Sequence, residues 1–163
     1  MSDVVDLILN DHQRICRWLD ALGPGARPPS RGAPPDYDLL WRRLARLVDL
    51  HTQAEQEIFY PAVARVTAGT GADLTDALAD QNDLREAVQE ASFHPAGSAP
   101  WWPLATAVRG IASRHIARGE GRLLVAFTRA APRGLREELG GQWTAFTAAR
   151  LADAADAAAG HRG

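Results

Sequence analysis

Cysteine is almost missing from this 163-residue chain: Cys16 stands alone, so neither an internal disulfide nor a paired-cysteine metal site can form. An excess of charge of one sign is missing too. Eighteen Lys and Arg against twenty Asp and Glu leave a net charge of −2, which argues against nucleic acid as a partner, because phosphate backbones are gripped through surplus positive charge. No apolar run approaches the ~20 residues that cross a bilayer, since Arg, Asp or His interrupts each one, and no membrane partner is expected. The opening MSDVVDLILNDHQ has Asp where a secretory leader carries positive charge. Together with the lone cysteine, that points to a reducing cytoplasm. Alternating strand patterns, internal repeats and any break marking a second domain are also absent. What remains is a chain of one-domain size, able to bury about two-thirds of its unfolded surface without staples.

The apolar residues recur at helical spacing. Val5, Ile8, Ile15, Leu19 and Leu22 share one face of a first helix, capped by Ser2 or Asp3 and ended by Gly23. A long Pro- and Gly-rich loop, GPGARPPSRGAPPD, follows. A second helix starts at Asp36 or Asp38 and buries Leu40, Leu44, Leu47, Ile58 and Ala62, with a kink or restart expected at Pro61. A third, capped by Asp73, turns Leu74, Ala77, Gln81, Leu84, Val88 and Ala91 inward. The fourth begins near Pro103 and buries Leu104, Val108, Ile111 and His115. A fifth, from about 133 to 159, presents Leu135, Leu139, Trp143 and Phe146, and covers either the bundle or a neighbouring subunit, which admits a homodimer. The expected class is all-α: an up-down four-helix bundle over about residues 3–128 with an additional C-terminal helix.

Polar residues interrupt these apolar stripes at His12, His51, Glu55, Gln81 and His115. An unpaired buried imidazole costs on the order of 1–3 kcal/mol and a lone buried carboxylate more, so a shared partner is implied. A cation serves all of them at once. His51 and Glu55 are four residues apart, about 400° around a helix, and therefore project to within roughly 40° of each other. Any one of these histidines alone would be read as a hydrogen-bonded core residue. Their joint occurrence favours metal. Cys16, four residues after His12, reads as a packing residue, and His94 and His161 as solvated loop and terminal residues.

The fourth helix breaks the pattern, because Glu120 follows His115 by five residues and would point about 140° away on a regular helix. Leu123 and Phe127 are displaced by the same one residue. A single π-turn between His115 and Glu120, eased by Gly119 and Gly121, accounts for both shifts and would turn the carboxylate inward.

An early buried His12, a HxxxE run from His51 leading to an aromatic and Pro61, and the late HxxxxE from His115 together resemble the hemerythrin-like HHE cation-binding family over roughly residues 3–128. The resemblance implies an up-down four-helix bundle holding two iron ions joined by an oxo or hydroxo bridge. It further implies that His12 and His51 ligate one iron and His115 the other, with Glu55 and Glu120 bridging. Manganese or zinc would be substitutes at such sites. One departure stands out: the family's third helix contributes histidine, whereas this chain has none between His51 and His94. Gln81 takes the inward position, as a hydrogen-bond partner of a ligand carboxylate rather than a ligand, with Asp83 and Tyr60 as further neighbours of the site.

Fewer protein ligands leave more open positions on an asymmetric centre, which favours reaction with O2, peroxide or a small-molecule substrate over reversible O2 carriage. If the protein is an enzyme, the expected class is a di-iron oxidase or oxygenase, or a peroxide-decomposing oxidoreductase. A plain O2 carrier or sensor, or a bundle whose site has decayed into an interaction module, are the alternatives.

Overall fold

The computed structural model describes residues 2–22 and 36–160, the last seven by backbone alone. Gly23 and the Pro-Gly loop, like His161, lie outside the described residues. Among the described residues, five helices make up the fold. Helix α1 spans Val4–Ala21; α2 runs over 37–66, α3 is Gly71–Ser92, α4 runs over 101–130, and α5 is Arg133–Gly160. No helix of the described residues is long and apolar enough to cross a membrane.

Local chemistry sets the helix ends. The carboxylate of Asp3 accepts the Val5 amide at 2.9 Å and that of Asp36 accepts the Leu39 amide at 2.9 Å, satisfying donors that a first turn leaves free. The α3 N-cap is Thr70 rather than Asp73, which falls in the first turn where its charge suits the helix dipole. Similarly, α4 begins at Trp101, so Pro103 sits inside its first turn rather than at its start. Gly69 and Gly97, with φ of 79° and 83°, supply the left-handed residues of the two turns flanking α3.

Two helices are not α-helical throughout. Helix α2 is α over Tyr37–Ala54, π over Glu55–Phe59, and α again over Tyr60–Val66; α4 is α over Trp101–Arg118, π over Gly119–Leu124, and α over Val125–Ala130. The kink expected at Pro61 is therefore a π-turn just before it. Pro61 has no amide hydrogen for the carbonyl four residues back, and widening the preceding turn relieves the clash without breaking the rod.

The core forms two apolar clusters, and the polar intruders lie between them. Val4, Ile8, Phe59, Val63, Leu123 and Phe127 belong to one, while Ile15, Leu44, Leu84, Trp101 and Val108 belong to the other. His12, His51, Gln81 and His115 fall at the junction on α1, α2, α3 and α4 in turn. Each fully buried Leu, Ile or Phe contributes about 1.5–3 kcal/mol. Leu40, Ile58, Leu74, Leu104 and Ile111, expected in the core, are half-buried and pack against it. Cys16 is exposed, one step off the α1 stripe, and is not a core residue.

Helix α5 lies against α1 and α2 of its own chain and inserts Leu139 and Trp143 into the first cluster. Its approach is close at Gly140, where a Cβ would overlap the Ser2 carbonyl, whereas a Cβ at neighbouring Gly141 meets nothing within 4 Å. Gly140→Ala is accordingly expected to destabilise the protein by about 1–3 kcal/mol. Gly141→Ala should stabilise it by roughly 0.5–1 kcal/mol, through helix propensity alone. Urea midpoints of the two variants check the pair; equal shifts would contradict the packing.

Candidate metal centre

Three helices deliver four ligand groups to one point. His12 comes from α1, His51 and Glu55 from α2, and His115 from α4; all four are buried, and one ligand atom from each lies within 4.8 Å of the others. The α-helical step from His51 to Glu55 puts both on one face. Oε2 of Glu55 lies 3.5 Å from Nε2 of His51 and 3.2 Å from Nε2 of His115. The His12 and His51 rings meet edge-on with centroids 4.9 Å apart, and His115 lies 6.1 Å from each.

Glu55 is held from the far side by a polar network. Tyr60 Oη donates to Oε2 at 3.0 Å, Gln81 Nε2 donates to the same oxygen and, at 2.9 Å, to Tyr60 Oη, and Gln56 Nε2 donates to Gln81 Oε1 at 2.8 Å. The π-turn makes this possible. Its Tyr60 amide bonds the Glu55 carbonyl five residues back, so the two side chains stand one above the other, which a regular α-helix would prevent. Gln81 thus meets the carboxylate through its amide nitrogen and not as an oxygen donor to the cluster.

Glu120 stands elsewhere. Gly119 still bonds the His115 carbonyl as an α-helix does, and the π-turn begins there rather than before it. The position one turn after His115 is therefore Gly119, and Glu120 reaches sideways from the inward stripe. Its Oε1 lies 2.9 Å from His12 Nδ1, and its side chain is 41% exposed. Because a carboxylate only accepts, Nδ1 carries the proton and Nε2 of His12 is left facing the cluster.

Asp83 is exposed and lies 3.5 Å from Arg114, away from the ligand group, so it is no neighbour of the site. Asp80 is buried but paired with Arg114 at 2.9 Å and Arg118 at 3.0 Å. A residue the sequence reasoning passed over, buried Asp11, places Oδ2 3.8 Å from His51 Nδ1. Trp143 of α5 was overlooked in the same way: its ring packs edge-on against His51 at 5.8 Å. Asp11 adjoins His12 in sequence, and that adjacency was the one available signal.

The electrostatics follow from burial and neighbours. Burial, helped by the His51 charge, holds His12 down at about 4. Burial pushes His51 down as well, but Glu55 and Asp11 together outweigh it and raise it above the usual histidine value. Burial would raise Glu55, yet the His51 and His115 charges win and keep it well below the usual carboxylate range. Tyr60 is pushed far above its ordinary value by burial and then by the Glu55 charge, so the phenol stays protonated and donates.

These shifts give a pH dependence. Between about pH 6.5 and 4 the unfolded chain binds a proton at His12 that the folded, metal-free protein does not. Stability is therefore expected to fall as the pH drops through that window, by up to roughly 3 kcal/mol. Glu55 adds to the loss only below its unfolded value of 4.5. Chemical denaturation at pH 7 and pH 4.5 measures the slope, and His12→Gln should flatten it.

The donor set suits a cation. His12 Nε2 and both ring nitrogens of His51 and His115 are buried without a hydrogen-bond partner among the described residues. Imidazole nitrogens facing an ionised carboxylate in a dry interior form a nitrogen- and oxygen-ligand site for a transition metal. The fold and site together define a helical bundle with a metal-binding centre across its helices.

Comparison with known proteins agrees. The family model for the hemerythrin HHE cation binding domain matches residues 3–127, and the chain belongs to that family. Among solved structures, it is similar to a hemerythrin HHE cation binding domain-containing protein, the Rv2633c homolog from Mycobacterium kansasii. The two are 13% identical with a TM-score of 0.72, over 93% of this chain and 91% of that one, a likeness of fold. No curated protein matches the sequence.

Proposed function

We propose that the chain is a non-haem iron protein that reacts with O2 or peroxide, its metal held by His12, His51, His115 and Glu55. The observation that carries this reading is the gathering of one ring nitrogen from each of three buried histidines with the ionised Glu55 carboxylate, all within 4.8 Å of one another. The second iron that the family resemblance implies would need ligands beyond these four, because Glu120, which the resemblance makes a bridge, is engaged on the outer nitrogen of His12. Bound iron supplies Lewis acidity and a redox couple.

The chain's own residues do the rest. Glu120 and Asp11, on the outer nitrogens of His12 and His51, orient the two rings and raise their basicity. Tyr60 and Gln81 fix the Glu55 carboxylate. With Gln81 engaged in that network, α3 offers no imidazole, and the reduced protein ligand set favours turnover over carriage. The protein is then a peroxide-decomposing oxidoreductase, or an oxidase of a small molecule.

Peroxide consumption and O2 release by the iron-loaded protein test this. Wild type should turn over repeatedly while His115→Ala does not. Stoichiometric, single-event binding of O2 with no peroxide decay would replace the reading with O2 carriage.

A further inference from the structure

A half-open cavity of about 550 Å3 lies between α1, α2 and α5, outside the metal cluster. Its inner wall is apolar, formed by Leu7, Leu47, Leu50 and Trp143. Its rim carries three arginines, Arg14, Arg43 and Arg46, against one carboxylate, Asp11. Arg14 pairs with that carboxylate at 3.0 Å. The Arg43 guanidinium lies 5.9 Å from the centre of the Trp18 ring, and Arg46 reaches the Leu151 carbonyl at 3.4 Å. Among the described residues neither Arg43 nor Arg46 has a carboxylate within ion-pair distance. The cavity is of the size that takes small molecules, and it couples an apolar wall to two cations with no anionic partner.

We propose that this cavity binds a small amphipathic carboxylate, with its head at Arg43 and Arg46 and its tail against Leu47, Leu50 and Trp143. Arginine's planar fork suits a carboxylate, and the rim's surplus positive charge selects an anion over a neutral lipid. Asp11 and Trp143, which border the cavity, are also the residues beside His51, so the tail lies one side chain from the ligand group. The binding itself requires no metal, and its test is independent of the iron reading.

The test is calorimetric titration of the purified full chain with decanoate, with amide shifts of labelled protein to place the site. One saturable site is expected, with shifts at Asn10, Thr144 and Thr147. The Arg43→Gln/Arg46→Gln variant should bind about tenfold or more weakly at an unchanged melting temperature. Absence of saturable binding, shifts confined to another face, or equal affinity in the variant would overturn the proposal. Should the variant melt lower, salt serves instead: rim-charge recognition weakens severalfold between about 0.02 and 0.5 M NaCl, and an affinity that salt leaves unchanged overturns it.

Discussion

Glu55→Ala is expected to cost the metal-free protein about 3–5 kcal/mol and to abolish metal retention. The carboxylate is the one negative charge in contact with both His51 and His115, and it accepts hydrogen bonds from Tyr60 and Gln81. Its removal strands the two imidazoles and takes the Tyr60 hydroxyl's acceptor away in the buried interior. Glu55→Gln separates the two effects. The carboxamide retains the volume and an oxygen for Tyr60, so most of the stability should survive, whereas metal affinity should still fall about 100-fold or more, since a neutral amide oxygen is a poor ligand beside imidazole. Denaturant midpoints and metal analysis of both variants check this. A fully stable Glu55→Ala protein would contradict the electrostatic account of the centre.

Stripping the metal is expected to lower the melting temperature by about 8–16 °C. A ligand at a thousandfold excess over its dissociation constant stabilises the folded state by about 4 kcal/mol. For a chain of this size each kcal/mol moves the midpoint by about 2–4 °C. The physical basis is the ligand group itself, whose three ring nitrogens and one carboxylate oxygen gain a shared partner when a cation is present. His115→Ala should make loaded and stripped samples melt alike. Scanning calorimetry before and after chelation measures the difference, and identical transitions for wild type would mean that the cluster holds no metal.

Much of this arrangement was legible in the sequence because helical periodicity exposes misfits. His12, His51, Glu55 and His115 each break an apolar stripe, and on a bundle such stripes have nowhere to point but toward one another. Gln81 was readable as inward for the same reason. The π-turns were harder. The one in α4 showed itself as a displaced spacing, but its onset at Gly119 depends on which carbonyl accepts which amide, and one residue's difference sends Glu120 to His12 rather than into the cluster. The one in α2 left only Pro61 as a trace. Asp11, beyond its adjacency to His12, and Trp143 were hard to read because their places beside His51 depend on how α1 and α5 lie against α2, a tertiary choice that local pattern does not encode. Cys16 looked apolar and buried, yet at one position beyond Ile15 it turns about 100° off the stripe and meets solvent.

The central claim is that the buried imidazoles and carboxylate exist to hold a cation, and metal content is its most direct measure. Plasma mass spectrometry on protein purified from iron-supplemented cells should find at least one iron per chain, and none in a His51→Ala/His115→Ala variant that remains helical. Wild type free of any transition metal, or the double variant carrying as much as wild type, would contradict the account.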